Sequence, residues 1–189
     1  DAEAAPRLRS LLRVLLEGRT ALLVTHDLVD VLTLAEDVAV LEDGRLVAVG
    51  PRERILARPP TAFAARLVGK VLLTGRIDGR RLRLPDGAVV PGQIEGDLRD
   101  GDAAYALIDP ATVELEVPGR RPDPEAGRTG HVAVADEIIG LDRIGARILV
   151  RGRHLAVEVP AETLLHTDLG SGTAVRFLID PASTPLYPG

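Results

Sequence analysis

Leucines recur at three- and four-residue spacing through Leu8, Leu11, Leu12, Leu15 and Leu16. This predicts an amphipathic helix over 4–17, with Pro6 tolerated in its first turn and Gly18 as its stop. Thr20 to Thr25 is a continuous apolar run of strand length, the pattern of a strand buried on both faces of a parallel sheet. A second helix is predicted over 28–35. Val38–Leu41 and Arg45–Val49 flank Glu42-Asp43-Gly44, a hairpin signal, because Asp-Gly supplies the positive φ angles of a tight turn. Gly50-Pro51 then breaks the chain, and Pro59-Pro60 separates two short helical stretches over 52–57 and 61–68.

From Gly69 the period changes. Short alternating segments at 81–84, 103–108, 146–150, 155–159 and 174–179 are punctuated by Gly, Pro and Asp, which predicts an all-β region, a small barrel or sandwich. Residues 118–130 carry almost no large apolar side chains and read as a linker. The predicted organisation is 1–69 followed by 70–189, the latter in two lobes, about 70–117 and 131–189. A repeat supports the two lobes: 97–115 aligns without gaps on 168–186, an offset of 71, with ten of nineteen positions identical. Two copies are too few for a solenoid and fit two related lobes packed together. Asp109 and Asp180, repeated within Leu-Ile-Asp-Pro-Ala, could be taken for a carboxylate pair, but Asp-Pro after an apolar strand is the start of a turn.

Composition narrows the chemistry. The 189 residues carry a formal net charge of -5 with no basic stripe, which argues against nucleic-acid binding. Without cysteine there is no disulfide, thiol nucleophile or thiolate metal site. No apolar run approaches the ~20 residues of a membrane helix. With no methionine anywhere, position 1 is not expected to be a translation start, and the chain reads as a fragment or a processed product. His26, His131, His154 and His166 lie far apart without ligand spacing, so no metal site is expected. The only Gly-Lys, Gly69-Lys70, precedes Val71 and lacks the upstream glycine of a phosphate-cradling loop. His26 is different: it follows an apolar strand pattern directly, at the end where open α/β sheets bind ligands.

The stretch Leu22 to Leu56 resembles the end of an ABC-transporter nucleotide-binding domain. The match runs through Thr25-His26-Asp27, the switch-histidine loop of that family, then 34–41, Asp43-Gly-Arg45 and Gly50-Pro51. Asp1-Ala-Glu resembles the end of its D-loop. Phe63–Gly69 and Val71–Gly75 are similar to the junction into the regulatory region of importer ATPases. The β part resembles the OB-like (TOBE/MOP-like) barrel that follows in molybdate, sulfate, iron, polyamine and sugar importers. The molybdate type is favoured, on 27–35 and the 63–69 junction; the sugar type is its close rival.

The resemblance implies an α+β chain: a partial P-loop-type α/β subdomain, then an all-β, two-lobed domain. It implies His26 as the switch histidine at the γ-phosphate and Asp1 as the D-loop aspartate communicating across an ATPase dimer. For the intact protein it implies ATP and magnesium, a homodimer of ATP-binding subunits, a transmembrane permease partner, and a cytoplasmic position peripheral to the membrane. Without Walker A, signature and Walker B motifs, this chain is not expected to hydrolyse ATP alone. The β part departs from the molybdate-binding pattern, since it has no Ser-Ala-Arg-Asn stretch; 128–131 reads Arg-Thr-Gly-His. Gly170-Ser171-Gly172-Thr173 is then the best local nest for molybdate or tungstate, against the plainer reading of a β-turn. A stand-alone ligand-binding or dimerisation module, and a degenerate reading frame, remain alternatives. A strand at 21–25 without its sheet would expose apolar surface, so the first fifty residues are expected to be poorly ordered, repacked or covered in a dimer.

Overall fold

The computed structural model describes residues 4–117, 130–165, 167 and 169–189. The chain divides into two compact units, Asp1–Val68 and Gly69–Gly189.

In the first unit α1 (Ala4–Leu16) precedes α2 (Leu28–Leu34), the antiparallel hairpin of β1 (Asp37–Glu42) and β2 (Arg45–Pro51), α3 (Arg52–Ala57) and α4 (Ala62–Leu67). The hairpin turns where the sequence says it must, with φ of 49° at Asp43 and 74° at Gly44, both in the left-handed region. Val40, Ile55 and Ala64 form a small core, with Val38 and Ala48 packed against it. Thr61 closes that core by capping α4: its Oγ1 accepts from the Ala64 N–H at 3.1 Å, satisfying an otherwise orphaned donor.

The strand expected at 20–25 is absent. Residues 20–27 follow α1 and its Gly18 turn as irregular backbone, with Leu22 90% and Val24 91% exposed. A central strand exists only through its neighbours' N–H and C=O groups, and no described residue pairs with this segment. The apolar side of α1 is bare in the same way, with Leu8, Leu11 and Leu15 all more than half exposed.

The second unit is the all-β region that the alternating pattern predicts, built as two lobes with one sheet each, and the chain as a whole is α+β. Its strands in chain order are β3 (Val71–Ile77), β4 (Arg81–Arg83), β5 (Val89–Pro91), β6 (Gln93–Ile94), β7 (Ala103–Ile108), β8 (Glu114–Glu116), β9 (Val132–Ile144), β10 (Arg147–Gly152), β11 (Ala156–Pro160), β12 (Ala174–Ile179) and β13 (Pro185–Pro188), with a one-turn helix, α5 (Ala161–Leu164), after β11. One sheet has the order β5-β4-β3-β7-β13-β6; the other has β11-β10-β9-β12-β8.

The two orders are the same pattern, and each sheet takes one strand from the other half of the sequence. β13 pairs with β7 through Leu186↔Ala106, and β8 pairs with β12 through Leu115↔Phe177. Both residues of one pair become both residues of the other under the 71-residue offset of the repeat. The repeated Asp-Pro turns make the crossings. Asp109 Oδ1 accepts from the Ala111 N–H at 3.0 Å, and Asp180 Oδ1 from the Ala182 N–H at 2.9 Å. Both aspartates are turn formers.

One apolar core joins the lobes and includes Phe177, Ile138, Val150, Leu155, Leu82, Val90, Ile108 and Leu186. Tyr105 and Tyr187, opposite each other on β7 and β13, meet edge-to-face at 5.7 Å between ring centres, worth about 0.5–1.5 kcal/mol beyond burial. Asp136 organises the β10–β11 turn: its carboxylate accepts from the Arg153, His154 and Leu155 N–H groups at 3.0–3.1 Å. Gly152 lies under it, where an added Cβ would come within 2.6 Å of the Phe177 ring.

Two substitutions test this core. Leu186→Ala removes a fully buried side chain of the crossing strand and is expected to cost about 2–5 kcal/mol in urea denaturation. Gly152→Ala should cost about 1–3 kcal/mol by overpacking against Phe177, whereas Gly170→Ala, with open space around it, should cost far less.

Candidate functional site

His26 is set by its neighbours. Asp27 is the N-cap of α2: its Oδ1 accepts from the Val29 N–H at 2.7 Å, with φ −99° and ψ 121°. The Asp27 N–H donates to Thr25 Oγ1 at 3.0 Å, and that hydroxyl donates to Asp30 Oδ2 at 2.7 Å. Arg9 of α1 spans both carboxylates, with Nη2 to Asp27 Oδ2 at 2.5 Å and Nε to Asp30 Oδ1 at 2.6 Å. The residues on either side of His26 are therefore pinned, and the imidazole itself stands exposed.

The hydroxyl of Thr25 and the guanidinium of Arg9 hold the Asp30 carboxyl below its ordinary range, with His26 adding to the field. The Arg9 guanidinium is correspondingly raised, first by its bond to Asp30. Asp30 also lies in the first turn of α2, where a negative charge complements the helix dipole.

The sequence singles out Thr25, His26 and Asp27 but not Arg9 or Asp30. Asp27 before an apolar helix is a cap signal; the Arg9 contacts span 18 and 21 residues and leave no local trace. Asp1 lies outside the described residues, as does Arg128.

The Gly170–Thr173 segment is a turn between α5 and β12, exposed at Gly170, Ser171 and Gly172. The Gly170 N–H donates to Thr173 Oγ1 at 3.1 Å, the Gly172 N–H to the Ile138 carbonyl at 2.8 Å, and the Thr173 N–H to the Gly170 carbonyl at 3.1 Å. Three of its four backbone donors are thus committed within the protein. Among the described residues no group of three or more His, Asp or Glu is arranged to hold a metal ion, and no helix is long and apolar enough to cross a membrane.

Comparison with known proteins gives this arrangement a context. The chain is 33% identical over 199 residues to the molybdenum import ATP-binding protein ModC of Mycobacterium tuberculosis, a match covering 100% of the chain and 52% of that protein. Its relatives are the ATP-binding subunits of ABC importers. The sn-glycerol-3-phosphate import ATP-binding protein UgpC of Jannaschia sp. is 29% identical over 99% of the chain and 50% of its own length. The sulfate/thiosulfate import ATP-binding protein CysA of Caulobacter vibrioides is 32% identical over 69% of the chain and 43% of its own length. The chain thus spans about half the length of these curated relatives, and no family model matches it. Among solved structures, the cytoplasmic molybdate-binding protein ModG with molybdate bound aligns with a TM-score of 0.49 and 14% identity, over 62% of the chain and 95% of ModG.

The Arg9–Asp30 clamp gives a pH signature. A carboxyl whose folded pKa is depressed adds stability above its unfolded value, about 3.9, and that stability is lost as the pH falls through the folded value. Asp30→Asn should therefore be less stable than the parent above about pH 5, and the two urea-unfolding curves should converge in stronger acid.

Proposed function

We propose that the chain is the C-terminal portion of the ATP-binding subunit of an ABC importer for molybdate or a related oxyanion. Similarity to ModC along the entire chain carries this reading, and the rigidly framed Thr25-His26-Asp27 loop supports it. The second unit would brace a dimer of such subunits and report internal solute. A membrane permease would be the other partner, on the cytoplasmic face.

The residues present do not by themselves form a nucleotide site. The chain has no Gly-Lys-Ser/Thr cradle, so in this reading the phosphate-binding groups and the magnesium ligands would come from outside these residues. What this chain would contribute is one exposed imidazole on a framed loop. The cap on α2 and the Arg9 clamp fix the backbone on both sides of His26, so that little ordering entropy is spent when it meets a phosphate. Catalysis of phosphoryl transfer rests on such positioning and charge stabilisation rather than on covalent chemistry. Asp1 would complete the dimer contact.

The UgpC and CysA relatives support a glycerol-phosphate or sulfate importer as the second reading. Two measurements separate the layers of the proposal. In the full-length subunit, His26→Ala should lower ATP turnover by about 10²–10³ while nucleotide binding persists; undiminished turnover would sink the role of His26. Isothermal titration of the chain with molybdate and tungstate against sulfate tests the solute class. A preference for molybdate supports the first reading, and a preference for sulfate the second.

A further inference from the structure

The two lobes repeat one design but differ in how they treat one arginine. In the second lobe, Arg147 opens β10 opposite Pro160, the last residue of β11. It is tied down, with Nη2 on the Glu158 carbonyl at 2.6 Å and Nε 3.5 Å from the Glu158 carboxylate. In the first lobe, Arg81 opens β4 opposite Pro91, the last residue of β5. Neither Arg81 nor its neighbour Arg80 has a hydrogen bond or ion pair through its side chain among the described residues.

Both arginines line an open cavity of about 530 Å³, together with Gln93, Asp180 and the prolines Pro91 and Pro181. Among the described residues the Gln93 amide has no hydrogen-bond partner either. Asp180 lines the same cavity and holds the Ala182 N–H on Oδ1 at 2.9 Å, which leaves Oδ2 as its second acceptor. Two guanidiniums against one carboxylate leave a net positive charge that calls for an anion, and planar donor forks suit phosphate and carboxylate oxygens. The carboxylate and the amide set a second condition. A bare tetrahedral oxyanion brings no proton for Asp180 and fills only a small part of a cavity in the size range of organic ligands.

We propose that this cavity binds a phosphate monoester carrying free hydroxyl groups, of the size of a phosphorylated polyol. Arg80 and Arg81 take the phosphate oxygens. Asp180 Oδ2 and the Gln93 amide take the hydroxyls, and the two prolines pack against the carbon chain. The crossing from β12 to β13 runs through Asp180-Pro181, so occupancy ties the exchanged strand to the β4–β5 edge. This inference does not rest on the transporter reading, and the turnover test of His26 is independent of it.

The test is isothermal titration of the complete chain with glycerol 3-phosphate, inorganic phosphate and molybdate. Saturable binding of the ester, about tenfold or more tighter than inorganic phosphate and not displaced by molybdate, is expected. Arg80→Ala and Arg81→Ala should each weaken it about tenfold, the loss of one charge-assisted contact. Arg147→Ala, which removes the same charge from the matching place in the other lobe, should leave it unchanged. Asp180→Asn keeps the turn-forming oxygen and should tighten inorganic phosphate relative to the ester. No saturable heat from a folded sample would overturn the proposal. So would inorganic phosphate binding as tightly as the ester, displacement of the bound ester by molybdate, or ester binding that survives Arg80→Ala/Arg81→Ala.

Discussion

Neither sheet of the β unit can be completed from its own half of the sequence. β13 closes the first lobe on β7 and β8 closes the second on β12, with pairings related by the repeat offset. A sheet edge left open exposes unpaired backbone and the apolar faces beneath it, so each lobe satisfies the other. The single core through Phe177, Ile138, Leu82 and Leu186 follows from that exchange. Surface ion pairs such as Arg151–Asp142 and Arg153–Glu137 decorate this arrangement and add little, as exposed pairs do.

The first unit obeys a different economy. Its buried core is small, and its most ordered polar feature is the Arg9 bridge to Asp27 and Asp30. That bridge joins α1 to the start of α2 across the irregular segment that carries His26. A long cationic side chain from a distant helix does here what a neighbouring strand would do in a sheet: it fixes where the loop starts and stops.

What could be read in the sequence follows from how local each signal is. The Asp43-Gly44 hairpin, the Asp-Pro turns and the alternating strands of the second unit depend on the residues that form them, and all are legible. Fold class and family context rest on such signals. Thr20 to Thr25 has the composition of a central strand, but strandedness belongs to a sheet, and these residues have no strand partner among those described. The exchange of β8 and β13 was foreshadowed by the repeat, yet only the register reveals which sheet each strand joins. Arg9, Arg80 and Arg81 carry no pattern at all. Their meaning comes from which carboxylates the fold places beside them, and in the case of Arg81, from the one it does not.

The crossing strands also impose a direction on synthesis. When β12 leaves the ribosome, β8 has already been made, and the second sheet can close at once. The first sheet was begun far earlier, from β3 onward, yet its β7 edge stays unfilled until Leu186 and Tyr187 arrive among the final residues of this chain. The lobe that is translated first is therefore finished last. A nascent chain must carry it half-built, with Ala106 and Tyr105 presented on an unpaired edge. Until β13 arrives that edge is an aggregation-prone one, as unpaired strand edges of folding intermediates are.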